Sequence, residues 1–195
     1  MGVKNLYIAG VGGQGLVLTT EIVVEVAFLE GFDVKSNDVI GLSQRGGKVW
    51  GSVRFGEKVY SALIPEGEGD LLLSMEELEG LRCSSSLKKG AKIIFNEEII
   101  FPNRVLIEKD EYPENIREKL VEKGYEVISV NAKEIGRNIG NIKTGNIVLL
   151  GKLSKYLPFK VETWLKVIEK KVPAKTVEVN FSRSEEHTSE LQSPS

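Results

Sequence analysis

The sequence predicts an α/β fold, a three-layer Rossmann-like domain built around a mixed sheet, and three observations predict it. A β-rich run at residues 4–9 leads into Gly10-Val-Gly-Gly-Gln-Gly15 and then into a long apolar segment over residues 16–29, which is the order strand, glycine turn, helix. Short apolar runs and helix-spaced segments then alternate along the rest of the chain. Finally, β-rich runs at 49–55 and 59–64, separated by Gly56-Glu57-Lys58, predict a hairpin and argue against a purely parallel sheet.

In the first helix Glu21 and Glu25 share one stripe. Val17, Leu18, Ile22, Val23, Val24, Val26, Ala27 and Phe28 cover most of the rest, so it should be packed on more than one side. Its β-branched content would suit a strand, but the length of the run without a turn signal favours helix, and Gly31 supplies the stop. Residues 33–36 read as a short second strand. Residues 39–47 read as a loop, because Gly41, Gly46 and Gly47 make regular structure entropically unfavourable. After the hairpin come a loop at 65–70, a short buried strand at 71–73, and a helix at 75–87 with Gly80 as a point of interruption. A strand at 91–95 and an extended stretch at 99–108 follow.

Pro113 then opens a helix at its first position, with Ile116, Leu120 and Val121 as its apolar stripe and Gly124 as its end. A strand at 125–130 precedes a short helix at 132–138. A longer helix at 141–157 carries Ile147, Leu150, Leu153 and Leu157 at helical spacing, although Gly145 and Gly151 weaken it. Val161, Trp164, Leu165, Ile168 and Val172 mark an amphipathic helix ending before Pro173, and residues 177–181 form the last ordered piece. The Trp164 stripe reads as core rather than as a cofactor contact.

At 195 residues with 41% hydrophobic side chains, the chain can bury one sizeable core, and nothing in it marks an internal repeat or linker. We read one domain over 1–182. Residues 183–195 are polar and aperiodic and resemble a translated sequencing adapter, so they are expected to be disordered artefact. Without them the charge is neutral and the sole histidine, His187, is gone, which excludes imidazole catalysis by this chain. A net charge of -2 over the whole sequence gives no footprint for nucleic acid or an anionic membrane. No apolar run approaches the ~20 residues that span a bilayer, and residues 1–9 do not read as a signal peptide, so the expectation is a cytoplasmic protein. Cys83 is the single cysteine, too few for a disulfide or for the about four thiolates of an iron–sulfur cluster, and it reads as a packed structural thiol. Glu66 and Glu68 read as solvated.

Gly10, Gly12 and Gly15 satisfy G-x-G-x-x-G, the spacing at which a helix N-terminus can cradle a phosphate, with Gly13 and Gln14 inside the loop. The same glycines could simply let a helix pack closely on a sheet. A dinucleotide site would need an acid at the end of the second strand, for which the candidates are Asp33, misplaced, and Asp38. A P-loop is excluded, because no G-x-x-x-x-G-K-[ST] is present. Ser43-Gln-Arg-Gly-Gly47 sets the Arg45 guanidinium, the Gln44 amide and the Ser43 hydroxyl beside Gly46 and Gly47. Arg45 is there suited to grip a carboxylate or phosphate, or else is an ordinary surface arginine.

Taken in order, Gly10-Val-Gly-Gly-Gln-Gly15, Gly41-Leu-Ser-Gln-Arg-Gly-Gly47, Val53-Arg-Phe-Gly56, Leu63-Ile-Pro-Glu-Gly-Glu68, Gly140-Asn-Ile-Lys-Thr-Gly-Asn146 and Asn180-Phe181 resemble the γ-type domain of 2-oxoacid:ferredoxin oxidoreductases. Within that family they are most similar to the indolepyruvate ferredoxin oxidoreductase β subunits. The resemblance implies a subunit of a complex that decarboxylates an aryl 2-oxoacid on thiamine diphosphate, passes electrons through iron–sulfur clusters to ferredoxin, and hands the acyl group to coenzyme A. It places the thiamine and clusters on a large partner subunit, so that this chain binds no cofactor alone. It makes the Gly10–Gly15 loop, the Ser43–Gly47 loop, Asn141 and Asn146 candidates for phosphate or substrate contact. Two departures stand out: Ile40 occupies a position where relatives often carry His, and the family continues past Phe181 into a further helix where this chain has its adapter-like tail. Two other readings remain open, a stand-alone nucleotide-binding module and a purely structural assembly subunit.

Overall fold

A computed structural model describes residues 2–40, 48–101, 112–138 and 145–172. Among these residues six strands form one sheet: β1 (Lys4–Val11), β2 (Asp33–Ile40), β3 (Lys48–Gly56), β4 (Gly69–Ser74), β5 (Leu87–Asn96) and β6 (Glu126–Val130), in the order β2-β3-β1-β4-β5-β6. β3 runs antiparallel to both of its neighbours, β1 and β2, while β1, β4, β5 and β6 are mutually parallel, so the sheet is mixed as expected.

Period-two burial of the strands generates the three layers. Leu6 and Ile8 of β1, Val49, Val53 and Phe55 of β3, and Leu71 and Leu73 of β4 face one helical layer. That layer comprises α1 (Leu16–Leu29), α4 (Ala132–Asn138), α5 (Gly145–Ser154) and α6 (Val161–Lys171). Tyr7, Ala9, Leu72, Ile93 and Phe95 face the opposite layer, formed by α2 (Glu77–Cys83) and α3 (Ile116–Glu122). The first layer closes on an aromatic cluster: Phe55 and Phe159 lie 4.9 Å apart, Phe32 is 5.6 Å from each, and Trp164 is 6.0 Å from Phe159. α1 ends as its glycine predicted. Gly31 adopts φ +85°, and the amides of Gly31 and Phe32 return to the carbonyls of Phe28 and Ala27. Among the described residues no helix is long and apolar enough to cross a membrane.

The predicted hairpin is not formed. Both edges of β3 are taken, by β1 and β2, so residues 59–64 have no ladder to join and are not a strand. They run as an irregular strap whose carbonyls are bonded by side chains. Arg54 Nη1 donates to Ser61 O and Leu63 O at 3.0 and 2.7 Å, and Ser52 Oγ donates to Ala62 O at 3.1 Å. The antiparallel pair is instead β2 with β3. β2 therefore runs through residue 40 rather than stopping at 36, and only residues 41–47 of the expected loop remain, outside the described residues.

The helix expected at 75–87 is shorter, passing through a 3₁₀ turn at Ser84–Ser86 into β5. Gly80 does not interrupt it. A Cβ there would lie 2.0 Å from Ser74 Oγ, so the glycine is what allows α2 to sit on the end of β4. α3 begins at Ile116, three residues after Pro113, behind Asn115 at φ +53°. Ile116 and Leu120 are buried but Val121 is exposed, so the predicted stripe is narrower than expected. The helix expected at 141–157 spans Gly145–Ser154, and residues 141–144, 102–108 and 177–181 lie outside the described residues.

Candidate functional site

α1 and α2 leave β1 and β4 for opposite faces of the sheet, so the carboxyl ends of these two adjacent parallel strands border a topological switch point, where open α/β sheets bind ligands. The Gly10–Gly15 loop occupies that position. Gln14 organises it. The backbone N–H of Gln14 donates to Val11 O at 3.2 Å, while its side-chain Oε1 folds back to accept from Val11 N–H at 2.8 Å. Gly13 and Gly15 have φ of +99° and +76°, a region that a side chain makes costly. Gly10 and Gly15 also answer to space, since a Cβ at Gly10 would meet Gln14 Oε1 at 2.7 Å and one at Gly15 would meet Asn146 Nδ2 at 2.5 Å. Gly12 is half-buried and Gly13 exposed. α1 starts behind Gly15 with no side-chain cap, so the N–H groups of Leu16, Val17 and Leu18 have no intrahelical acceptor.

Beneath the loop, the carboxyl ends of β4 and β5 add amides and a carboxylate. Met75 N–H donates to Ala9 O at 2.8 Å, and Met75 O accepts from Gln14 Nε2 and Asn96 Nδ2, both at 2.9 Å. The same two amides reach Glu98 Oε2 at 3.2 and 3.3 Å. Asn96 Oδ1 accepts from the Ala132 N–H at the start of α4, and Asn146 Nδ2, on the first turn of α5, donates to Gln14 O at 2.8 Å. Four elements distant in sequence are thereby tied to one loop. Sequence reasoning found Gln14 and Asn146 but missed Asn96 and Glu98. The available signal was the polar run Asn96-Glu97-Glu98 directly after an apolar parallel strand.

A buried carboxylate lies alongside. Glu76, with no exposed surface, caps α2 by accepting from Glu79 N–H at 2.8 Å and accepts from Tyr112 Oη at 2.6 Å. Burial pushes the Glu76 carboxyl above the usual carboxylate range. Glu77 is raised as well, by its own burial and then by repulsion from Glu76, Glu97 and Glu118. Burial, together with the hydrogen bond to Glu76, pushes the Tyr112 phenol far up.

The structure thus brings Gly10, Gly12, Gly13, Gln14, Gly15 and Asn146 together, while Ser43, Gln44, Arg45, Gly46, Gly47 and Asn141 lie outside the described residues. Asp33 sits at the start of β2, not at its end, and its carboxylate accepts from Val59 N–H at 2.8 Å, a bond that holds it below the usual range. It cannot serve as a ribose acid. Cys83 is buried at the end of α2, Trp164 is wholly inside the core, and Glu66 and Glu68 are exposed, Glu68 lying 3.3 Å from Lys88.

Comparison with known proteins fits this geometry. Residues 5–185 match the family model for pyruvate ferredoxin/flavodoxin oxidoreductase. The indolepyruvate oxidoreductase subunit IorB of Thermococcus kodakarensis is 39% identical over 182 residues, covering 91% of this chain and 90% of the relative. Among solved structures, the pyruvate oxidoreductase subunit PORC of Thermotoga maritima superposes with a TM-score of 0.70 at 19% identity, over 95% of this chain and 97% of that one. The 2-oxoglutarate:ferredoxin oxidoreductase of Magnetococcus marinus, solved with 2-oxoglutarate, coenzyme A and succinyl-CoA, gives 0.74 at 17% identity, all of this chain matching 32% of that longer one. The coextensive family match and the shared three-layer fold lead to one conclusion: this chain belongs to the pyruvate ferredoxin/flavodoxin oxidoreductase family.

Proposed function

We propose that this chain is the small subunit of a cytoplasmic complex that carries out ferredoxin-dependent oxidative decarboxylation of an aryl 2-oxoacid, such as indolepyruvate, to an acyl-CoA. The observation that carries this reading is the 39% identity to an indolepyruvate oxidoreductase subunit over nearly the full length of both chains. Thiamine diphosphate and the iron–sulfur clusters belong to a large partner subunit, through which ferredoxin is reduced. The donor set here does not fit a cluster, because the single thiol, Cys83, is buried in the fold and a cluster needs about four thiolates.

The role of this chain is then to bind and orient. Gly10, Gly12, Gly13 and Gly15 let backbone approach a ligand closely, the uncapped first turn of α1 favours negative charge, and Gln14 and Asn146 hold the loop in shape. Ser43, Gln44, Arg45, Gly46, Gly47 and Asn141 complete the contact with a phosphate of coenzyme A or with the 2-oxoacid, Arg45 supplying a bidentate guanidinium.

Co-expression with the large subunit tests this. The pair should oxidise indolepyruvate, and the small chain alone should turn over nothing. In the assembled complex Arg45→Ala should raise the KM for coenzyme A by on the order of tenfold, the loss expected for a charge-assisted contact. Unchanged coenzyme A dependence would show that the loops only scaffold the assembly. Nucleotide binding by the isolated monomer would favour a stand-alone module.

A further inference from the structure

Asn96 departs from the pattern of its strand. It follows the core residue Ile94 on one face of β5 and ends that face with an amide only 3% exposed, where an apolar side chain would continue the core. A buried amide costs free energy unless its donors and acceptor are matched. Here they are. Nδ2 donates to Met75 O at 2.9 Å and to Glu98 Oε2 at 3.3 Å, and Oδ1 accepts from the Ala132 N–H at 3.2 Å.

The two acceptors held by Asn96 are the same two that hold the glycine loop. Gln14 Nε2 donates to Met75 O at 2.9 Å and to Glu98 Oε2 at 3.2 Å, which leaves Oε1 to accept from Val11 N–H at 2.8 Å. That is the one orientation of the Gln14 amide that satisfies all three bonds. Turned over, it would set oxygen against two oxygens and an N–H against an N–H. The acceptors are themselves pinned: Met75 N–H donates to Ala9 O at 2.8 Å, Glu98 N–H to Asn96 O at 2.8 Å, and Glu77 N–H to Glu98 O at 3.1 Å. Neither can shift relative to the loop without straining a bond to Asn96.

We propose that Asn96 is a positioning residue for the ligand of the glycine loop. It makes no hydrogen bond to the loop and acts through Met75 O and Glu98, which fix the Gln14 amide and with it the backbone of residues 11–15 on which a phosphate-bearing ligand is held. This rests on the reading of the loop as a contact for coenzyme A.

Asn96→Asp in the complex with the large subunit tests it. The substitution keeps the shape and the acceptor for the Ala132 N–H, but it replaces the Nδ2 donor with an oxygen that faces Met75 O and Glu98 Oε2. It should raise the KM for coenzyme A by on the order of tenfold while kcat changes by less than about twofold. Amides of residues 11–16 should exchange on the order of tenfold faster, with those of α6 unchanged. Adding Glu98→Gln returns a donor to the cluster and should recover most of the lost affinity. Gln14→Glu makes the same reversal from the loop side, at a half-buried position, and should reproduce both changes even where Asn96→Asp fails to assemble. A fall in kcat at unchanged KM, the mark of a smaller folded fraction, overturns the proposal, as does exchange at 11–16 no faster than in the parent chain. If turnover by the parent complex does not depend on coenzyme A, the functional reading fails instead, and exchange at 11–16 still decides whether Asn96 holds the loop.

Discussion

The two helical layers are held to one sheet by different means. The layer of α1, α4, α5 and α6 packs mainly through a large apolar core around Phe32, Phe55, Phe159 and Trp164, with Thr19, Thr20, Lys152 and Ser154 buried at its helices and its ion pairs at the surface. The layer of α2 and α3 buries a smaller apolar cluster and sinks polar groups into it. Glu76 bonds Tyr112, Tyr125 Oη bonds Ser84 O at 2.7 Å, and Glu79 bonds Arg82 at 2.6 Å. The first layer draws its strength from area, so it should tolerate change at its rim and fail at its centre. The second depends on individual partners and close approaches, so single atoms should matter there.

The largest effect is expected at the centre of the first layer. Trp164→Ala should remove about 3–5 kcal/mol of stability, read from chemical denaturation, because a fully buried indole leaves a cavity the rigid sheet cannot close. A loss under about 1 kcal/mol, within the range of surface substitutions and their neighbours, would mean that this core collapses freely. In the second layer, Gly80→Ala adds a single methyl group, yet it should cost roughly 1–3 kcal/mol, since that methyl would lie 2.0 Å from Ser74 Oγ, itself engaged with Glu76 O. A neutral result would show that α2 rides loosely on β4.

Glu76 gives a pH signature. Its folded carboxyl titrates above its unfolded value, so between those two values the folded chain keeps a proton that the unfolded chain has released. The contribution of Glu76 is therefore fully present below the ordinary carboxylate range and is lost as pH rises through that window. Glu76→Gln should flatten the fall, leaving the part due to Glu77, and melting curves at a series of pH values check it. The smallest effect belongs to the rim of the first layer. Lys170→Ala breaks an exposed pair with Glu25 and should change stability by no more than about 0.5 kcal/mol, shrinking further in high salt.

The same contrast explains what could be read from sequence. Layers packed by area announce themselves in local sequence: α1 by the length of its apolar run and its stop at Gly31, and the Trp164 helix by its spacing. The failed hairpin had equally good local wording, but pairing depends on which edges are free, and β3 was already flanked on both sides. At the candidate site, the glycine loop and Asn146 were legible as motif residues. Asn96 and Glu98 were not, because their meaning lies in contacts across the chain, Glu98 with Gln14 more than eighty positions away and Asn96 with Met75 O and the Ala132 N–H.

The placement of β3 carries one more consequence, for the order of events during synthesis. β1 and β2 are next to each other in time but not in space, with one vacant place between them until β3 is inserted. A nascent polypeptide that has released only its first two strands holds neither in a ladder, and no neighbour closes the gap before residue 56 has emerged. The amino-terminal third should thus leave the ribosome as an unpaired hydrophobic stretch, a natural client for a holdase, and should acquire structure in a single late step rather than strand by strand.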